Sequence, residues 1–212
     1  MSHTLHRHGS RDDLMKDFVM FMIPAQRYNR VGHTPKLRHY IEICEKNHPI
    51  NMGEGQTGNL AEYGMEGLKE NPTVITHALF DNEEDLTNAL TEVVEYDCGL
   101  SVVLSGLFDE LFVCCKKAGI DHPDCLEQSL GVDGRKEMLP EGELFDISTM
   151  CGHGQVSEGL IHEYVVKIKR GQITCEQAGQ ELGRPCSCGV FNQERAAELL
   201  RKYCAQVIIQ DV

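Results

Sequence analysis

The chain lacks tryptophan, and aromatics make up only 6% of its 212 residues, so aliphatic and sulfur-bearing side chains must fill most of any interior. It is also poor in positive charge: 20 Lys and Arg stand against 33 Asp and Glu, a formal net charge of −13. Nucleic-acid binding needs Lys and Arg to displace counterions from phosphate, so no nucleic-acid partner is expected. The same balance disfavours an anionic membrane surface. The longest apolar run, residues 18–23, is far too short to span a bilayer. The residues after Met1 carry no apolar stretch resembling a secretion signal, so the expectation is a cytoplasmic protein with no membrane partner.

What the chain does have is enough apolar content, 41%, with 25% charged residues, to bury an ordinary globular core. It has ten cysteines. In a reducing compartment thiols serve as core residues, metal ligands or redox groups more often than as disulfides. Cys114 and Cys115 are neighbours and cannot form an unstrained bridge with each other. At least half of the ten are expected to be structural.

Four of the ligand-type residues sit in two short glycine-flanked segments. These are Cys151 and His153 in Met150-Cys151-Gly152-His153-Gly154, and Cys186 and Cys188 in Pro185-Cys186-Ser187-Cys188-Gly189. Three thiolates and an imidazole form a standard tetrahedral zinc set. An iron–sulfur cluster is the alternative cofactor, with Cys175, Cys125 or Cys98 as a further donor. With a single residue between ligands, each pair converges only from a tight turn, which the adjoining glycines permit. The helix start near Ser157 places free amides near Cys151 and favours its thiolate. A metal-independent reading makes Cys151 a nucleophile with His153 or His77 as base. The plain reading has Cys151 and Cys188 packing in glycine turns and His153 as a hydrogen-bonded surface residue.

Along the chain, residues 1–13 read as a polar, His-rich arm, in which His3, His6 and His8 could take a metal adventitiously. Residues 17–23 read as a buried strand ended by Pro24. Pro35 opens a helix with Leu37, Tyr40, Ile41 and Cys44 on one face. Residues 51–67 read as a glycine-rich loop, with Gly53, Gly55 and Gly58 able to close over a small molecule. A strand at 73–80 follows, then a helix capped by Asp81 or Asn82, with Leu86, Ala89, Leu90, Val93 and Val94 inward. Residues 100–104 form the best central-strand candidate, followed directly by a helix over 107–118.

Val132-Asp133-Gly134-Arg135 is a hairpin-type turn signal, and residues 144–147 suit a short strand after it. From residue 157 the pattern becomes helical. Ser157 caps a helix through Lys169, Thr174 to Gln177 is a capping box, and Asn192 caps the last helix. The expected fold is α/β, a mixed or parallel sheet flanked by helices, with a small helical C-terminal segment carrying the Cys/His site. The expected division is an arm at 1–13, an α/β domain at 14–150, and a helical segment at 151–212 packed on it.

Ser105 and Gly106, directly after the expected central strand, occupy the carboxyl end, where open α/β sheets bind ligands. A small-molecule pocket is therefore expected between them and the Cys151 to Gly154 loop. Arg7-His8-Gly9 matches the Arg-His-Gly signature of histidine phosphatases. That histidine must follow the first strand, however, and only polar residues precede it here.

The leading functional expectation is a metal-binding α/β protein, a small-molecule enzyme with a zinc site. The alternatives are an iron–sulfur or redox protein, a cysteine-nucleophile enzyme, and a non-enzymatic interaction protein. Self-association into a homo-oligomer stays open.

Overall fold

The computed structural model describes residues 7–207, and the chain within it divides into two compact units. One comprises Arg11–Leu126 with the short segment Ser187–Val190; the other, among the described residues, comprises residues 7–10, 127–186 and 191–207. His3 and His6 lie outside the described residues.

The first unit is built on a five-stranded sheet of order β3-β2-β4-β1-β5, in which every pairing is antiparallel. Its elements run α1 (Arg11–Leu14), β1 (Phe18–Ile23), α2 (His33–Lys46), β2 (Asn51–Glu54), β3 (Gly58–Asn59), α3 (Leu60–Glu70), β4 (Thr76–Phe80), α4 (Glu83–Tyr96), β5 (Ser101–Ser105) and α5 (Phe108–Lys117). The mixed α/β class is as expected. The antiparallel pairing was not legible, because alternating strands and helices with short connections also describe a parallel sheet.

The period-two pattern of β1 sorts its side chains. Phe18, Met20 and Met22 point into one core with Leu37, Tyr40 and Ile41 of α2, Leu86 and Leu90 of α4, and Leu111 of α5. Aliphatic and sulfur-bearing side chains dominate that core, as the lack of tryptophan requires.

Three expectations for this unit need correction. Residues 100–104 are not a central strand: β5 lies at the edge of the sheet, pairing only with β1 among the described strands, and Val103 is 40% exposed. The short aliphatic run gave no information about neighbours. Residues 51–67 are not a loop but the β2–β3 hairpin and much of α3. The glycines there answer to packing. A Cβ on Gly53 would collide with the backbone of Cys188 and Gly189, and one on Gly55 would crowd Ile75 at 2.9 Å. Finally, the ligand-binding rule that singled out Ser105 and Gly106 applies to parallel sheets. Here a Cβ on Gly106 would sit 2.8 Å from the Phe18 ring, which accounts for its glycine.

Glu54, fully buried at the end of β2, ties the hairpin together. One carboxylate oxygen accepts from the amides of Gln56 and Thr57 at 2.9 and 2.7 Å, the other from Thr73 and Val74 at 3.0 and 2.8 Å. Those last two bonds also explain why β4 begins at Thr76 rather than at residue 73.

The second unit contains α6 (Gly142–Ser148), α7 (Glu158–Lys169), α8 (Cys175–Gly183) and α9 (Gln193–Gln206). Ser157, Thr174 with Gln177, and Asn192 cap α7, α8 and α9 as their sequence signatures predict. Residues 144–147 are helical, not a strand, and the Val132 to Arg135 turn leads into a 3-10 turn at Lys136–Met138 instead of a hairpin. Leu144 and Ile147 are buried three residues apart, a spacing that a four-residue strand reading cannot use. Gly179 of α8 lets the chain approach α9 closely, since a Cβ there would strike the Gln193 carbonyl.

Residues 7–10 are part of this unit and are tied down. Arg7 donates to the Met150 carbonyl at 3.0 Å, and the His8 amide donates to Thr149 Oγ1 at 3.1 Å. The His8 ring pairs with Asp146 at 2.5 Å and rests on Phe145, while buried Arg195 donates to the His8 carbonyl. Among the described residues no helix is long and apolar enough to cross a membrane.

Candidate functional site

After α6 the chain makes a tight turn in which the Gly154 amide donates to the Cys151 carbonyl at 3.1 Å, with Gly154 at φ +68°. Glycine is suited to that left-handed conformation. The turn brings the amides of His153 and Gln155 back onto the Cys151 sulfur. Cys186, two residues beyond Arg184 at the end of α8, is set by its own amide donating to the Gly183 carbonyl at 3.1 Å. Hydrogen bonding with the Cys186 side chain favours the thiolate form of Cys151. The side-chain amide oxygen of Gln155 lies 3.5 Å from that sulfur and accepts its proton when Cys151 is a thiol. Both sulfur-bearing residues are deeply buried, Cys151 at 1% and Cys186 at 0% exposure, whereas His153, Gly154 and Gln155 are exposed.

This surrounding drops the Cys151 pKa from 9.0 to about 6. The Cys186 hydrogen bond is the main cause. Burial opposes it, and the His153 and Gln155 amides together with the charge of His153 add to it. Each of these groups stabilises the thiolate more than the thiol. The contrast with other cysteines is sharp. Burial raises Cys44 to about 12 and also raises Cys114, Cys115, Cys175 and Cys204.

Of the four sequence-predicted ligands, Cys151 and Cys186 meet, and His153 lies near enough to act on Cys151 through its charge. Cys188 belongs to the other unit, in the segment whose backbone rests on Gly53. Among the described residues no group of three or more His, Cys, Asp or Glu is placed to hold a metal ion.

His77 lies in β4 of the sheet unit, buried, opposite Phe21 with the two rings 5.2 Å apart. Ser105, Gly106, Gly53, Gly55 and Gly58 are likewise in the sheet unit, so the two walls of the expected pocket belong to different units. Arg135 pairs with Glu137 at 3.0 Å on the exposed surface. Sequence reasoning missed Gln155 and the Arg7–His8 anchor. Nothing in the spacing of Gln155 sets it apart, and the anchor joins residues more than 130 positions apart. Comparison with protein-family models, curated proteins and solved structures gives no match for this chain.

Proposed function

We propose that the helical unit carries a redox-active dithiol, with Cys151 as the reacting sulfur and Cys186 as its partner. The reading is supported by the tight turn at Cys151, closed by the Gly154 amide on the Cys151 carbonyl at 3.1 Å, and by hydrogen bonding of the Cys186 side chain and the His153 and Gln155 amides, which favours the Cys151 thiolate. A thiolate is the nucleophilic form of cysteine, and a second thiol in contact with it can close a disulfide without long-range rearrangement. The pair thus joins two of the alternatives open from sequence, a cysteine nucleophile and a redox protein. A centre that must be returned to its dithiol form is served by a reducing compartment such as the cytoplasm.

The test is peptide mapping of the full chain after mild oxidation, combined with metal analysis of the reduced protein. The expected result is a Cys151–Cys186 disulfide as the dominant product, fully reversed by a thiol. Random pairing, or no bond between these two positions under any oxidant, overturns the reading. A reduced preparation that retains a full equivalent of zinc would favour the four-ligand alternative instead.

A further inference from the structure

Among the described residues, β5 has a strand on one side only, and its outer backbone groups pair with no other strand. Such an edge offers a row of N–H and C=O groups to a further strand, and folded chains commonly guard it with Lys, Pro or a bulge. β5 carries none of these guards. It reads Ser-Val-Val-Leu-Ser, and its pairing with β1 runs without interruption from Ser101 to Ser105. Each of its residues keeps some exposure, whereas every residue of β4 is buried. The strand is also close to a palindrome. Laid antiparallel on a second copy about Val103, it sets Val103 against Val103, Val102 against Leu104 and Ser101 against Ser105. Like thereby meets like, in the cross-strand pairs that stabilise a sheet.

The two ends of β5 carry opposite charge. At its start stands the loop at 24–32, which follows Ile23, the β1 partner of Ser101. Asn29 fixes that loop: its side-chain oxygen accepts from the Ala25 amide and its Nδ2 donates to the Gly99 carbonyl, both at 2.6 Å. Arg27 and Arg30 on the loop are exposed, and among the described residues no carboxylate pairs with either. Lys36 donates to the Cys98 carbonyl at 2.5 Å, so three cations face the single acid Asp97 at this end. Residues 18–41 hold no Asp or Glu, in a chain of net charge −13. At the other end lie the first turn of α5, with exposed Asp109, and α1, with exposed Asp12; Arg11 of α1 pairs with Glu110 of α5. We infer that β5 is a self-association edge: two copies of this chain join through it, antiparallel about Val103, with Arg27 and Arg30 of each copy against the Asp109 end of the other. In that register Gly99 stands opposite Leu107 of the second copy, two residues before its Asp109. The charge pattern favours a second copy as the occupant, because an antiparallel β5 brings its own acidic end to the basic loop. Tyr28 and Val31, at 90% and 99% exposure on that loop, supply apolar surface for the same contact. The pairing is two-fold and consumes both β5 edges, and the opposite sheet edge, β3, has only two residues, so association stops at the dimer.

The experiment follows the full chain, kept reduced, by sedimentation velocity as its concentration rises. Wild type should pass from monomer to dimer and no further. Val103→Lys sets two ammonium groups against each other on the axis and should raise the dissociation constant about tenfold or more. Arg27→Glu with Arg30→Glu should weaken the dimer in the same sense, and adding Asp109→Arg to that pair should restore it. Val94→Lys, on the exposed part of α4, should leave the dimer unchanged. Val103→Cys under mild oxidation should link two copies through position 103, located by peptide mapping. That link reads the register directly and stands even if Val103→Lys folds poorly. Wild type that is still monomeric at about 100 µM overturns the inference. A dimer that neither Val103→Lys nor the loop variants weaken overturns it equally, as does association that continues past the dimer.

Discussion

The guanidinium of Arg7 donates to the carbonyl of Met150 at 3.0 Å, and Met150 is the residue directly before Cys151. The arm therefore restrains the turn that positions the reactive sulfur. In Arg7→Ala the turn should open more often, by the equivalent of about 1 kcal/mol, and alkylation of Cys151 at pH 8 should rise about fivefold. The midpoint of its pH profile should also move up, since the amides of His153 and Gln155 are no longer held on the sulfur. Arg135→Ala, on the exposed surface of the same unit, should change neither. Equal profiles for wild type and Arg7→Ala would remove the arm from any role at the site.

The pH dependence of Cys151 itself has a defined sign. Its pKa falls from 9.0 to about 6, chiefly through the Cys186 hydrogen bond, so alkylation should rise with a midpoint near 6 while buried Cys44 stays inert. A lowered pKa in the folded state contributes stability that is complete above the unfolded value and is lost as pH falls through the folded one. Wild type should thus gain stability over Cys151→Ser as pH rises from about 6 to 9, read by chemical denaturation at each pH. A stability difference that is flat across that window would show that Cys151 is not a thiolate in the folded protein.

Glu54 offers a separate check within the sheet unit. Burial pushes its carboxyl up, but amide hydrogen bonds from Thr57, Thr73, Val74 and Gln56 outweigh this and hold its pKa below the usual carboxylate value. Glu54→Gln replaces one acceptor oxygen with N–H facing N–H, and should cost about 2–3 kcal/mol at neutral pH. Because the folded pKa is lowered, the wild-type advantage is present above the unfolded pKa and should shrink as acid protonates Glu54. Denaturation curves that keep the same separation down to pH 2 would contradict this assignment.

The helices were legible where their signals are local. Asn82 accepts from the Asp85 amide, Ser157 from Leu160, and Thr174 and Gln177 close a reciprocal box, each within one turn of chain. The sheet was less legible because its decisive partners are distant. Gly53 and Gly55 look like loop residues in sequence, yet one is small because Cys188 crosses it and the other because Ile75 does. Nothing in residues 100–104 says that only β1 lies beside them among the described strands. At the site, the glycine-flanked segments drew attention to Cys151 and Cys186, but the approach of one to the other leaves no mark in their spacing. The X-any-X spacing also grouped Cys186 with Cys188, although the chain parts between them: Cys186 stays with the helices and Ser187–Val190 joins the sheet.

That crossing gives the last prediction. A Cβ on Gly53 would meet the backbone of Cys188 and Gly189, and one on Gly189 would meet the backbone of Met52 and Gly53. Main chain cannot move aside as a flexible side chain can, so Gly53→Ala should cost about 3 kcal/mol or more. It should also raise amide exchange over residues 187–190. Gly154→Ala is the informative comparison. Gly154 has φ +68° but no atom within 4 Å of an added Cβ, so only backbone strain of about 1–2 kcal/mol is expected. If Gly53→Ala proves no more destabilising than Gly154→Ala, the segment holding Cys188 does not rest on β2.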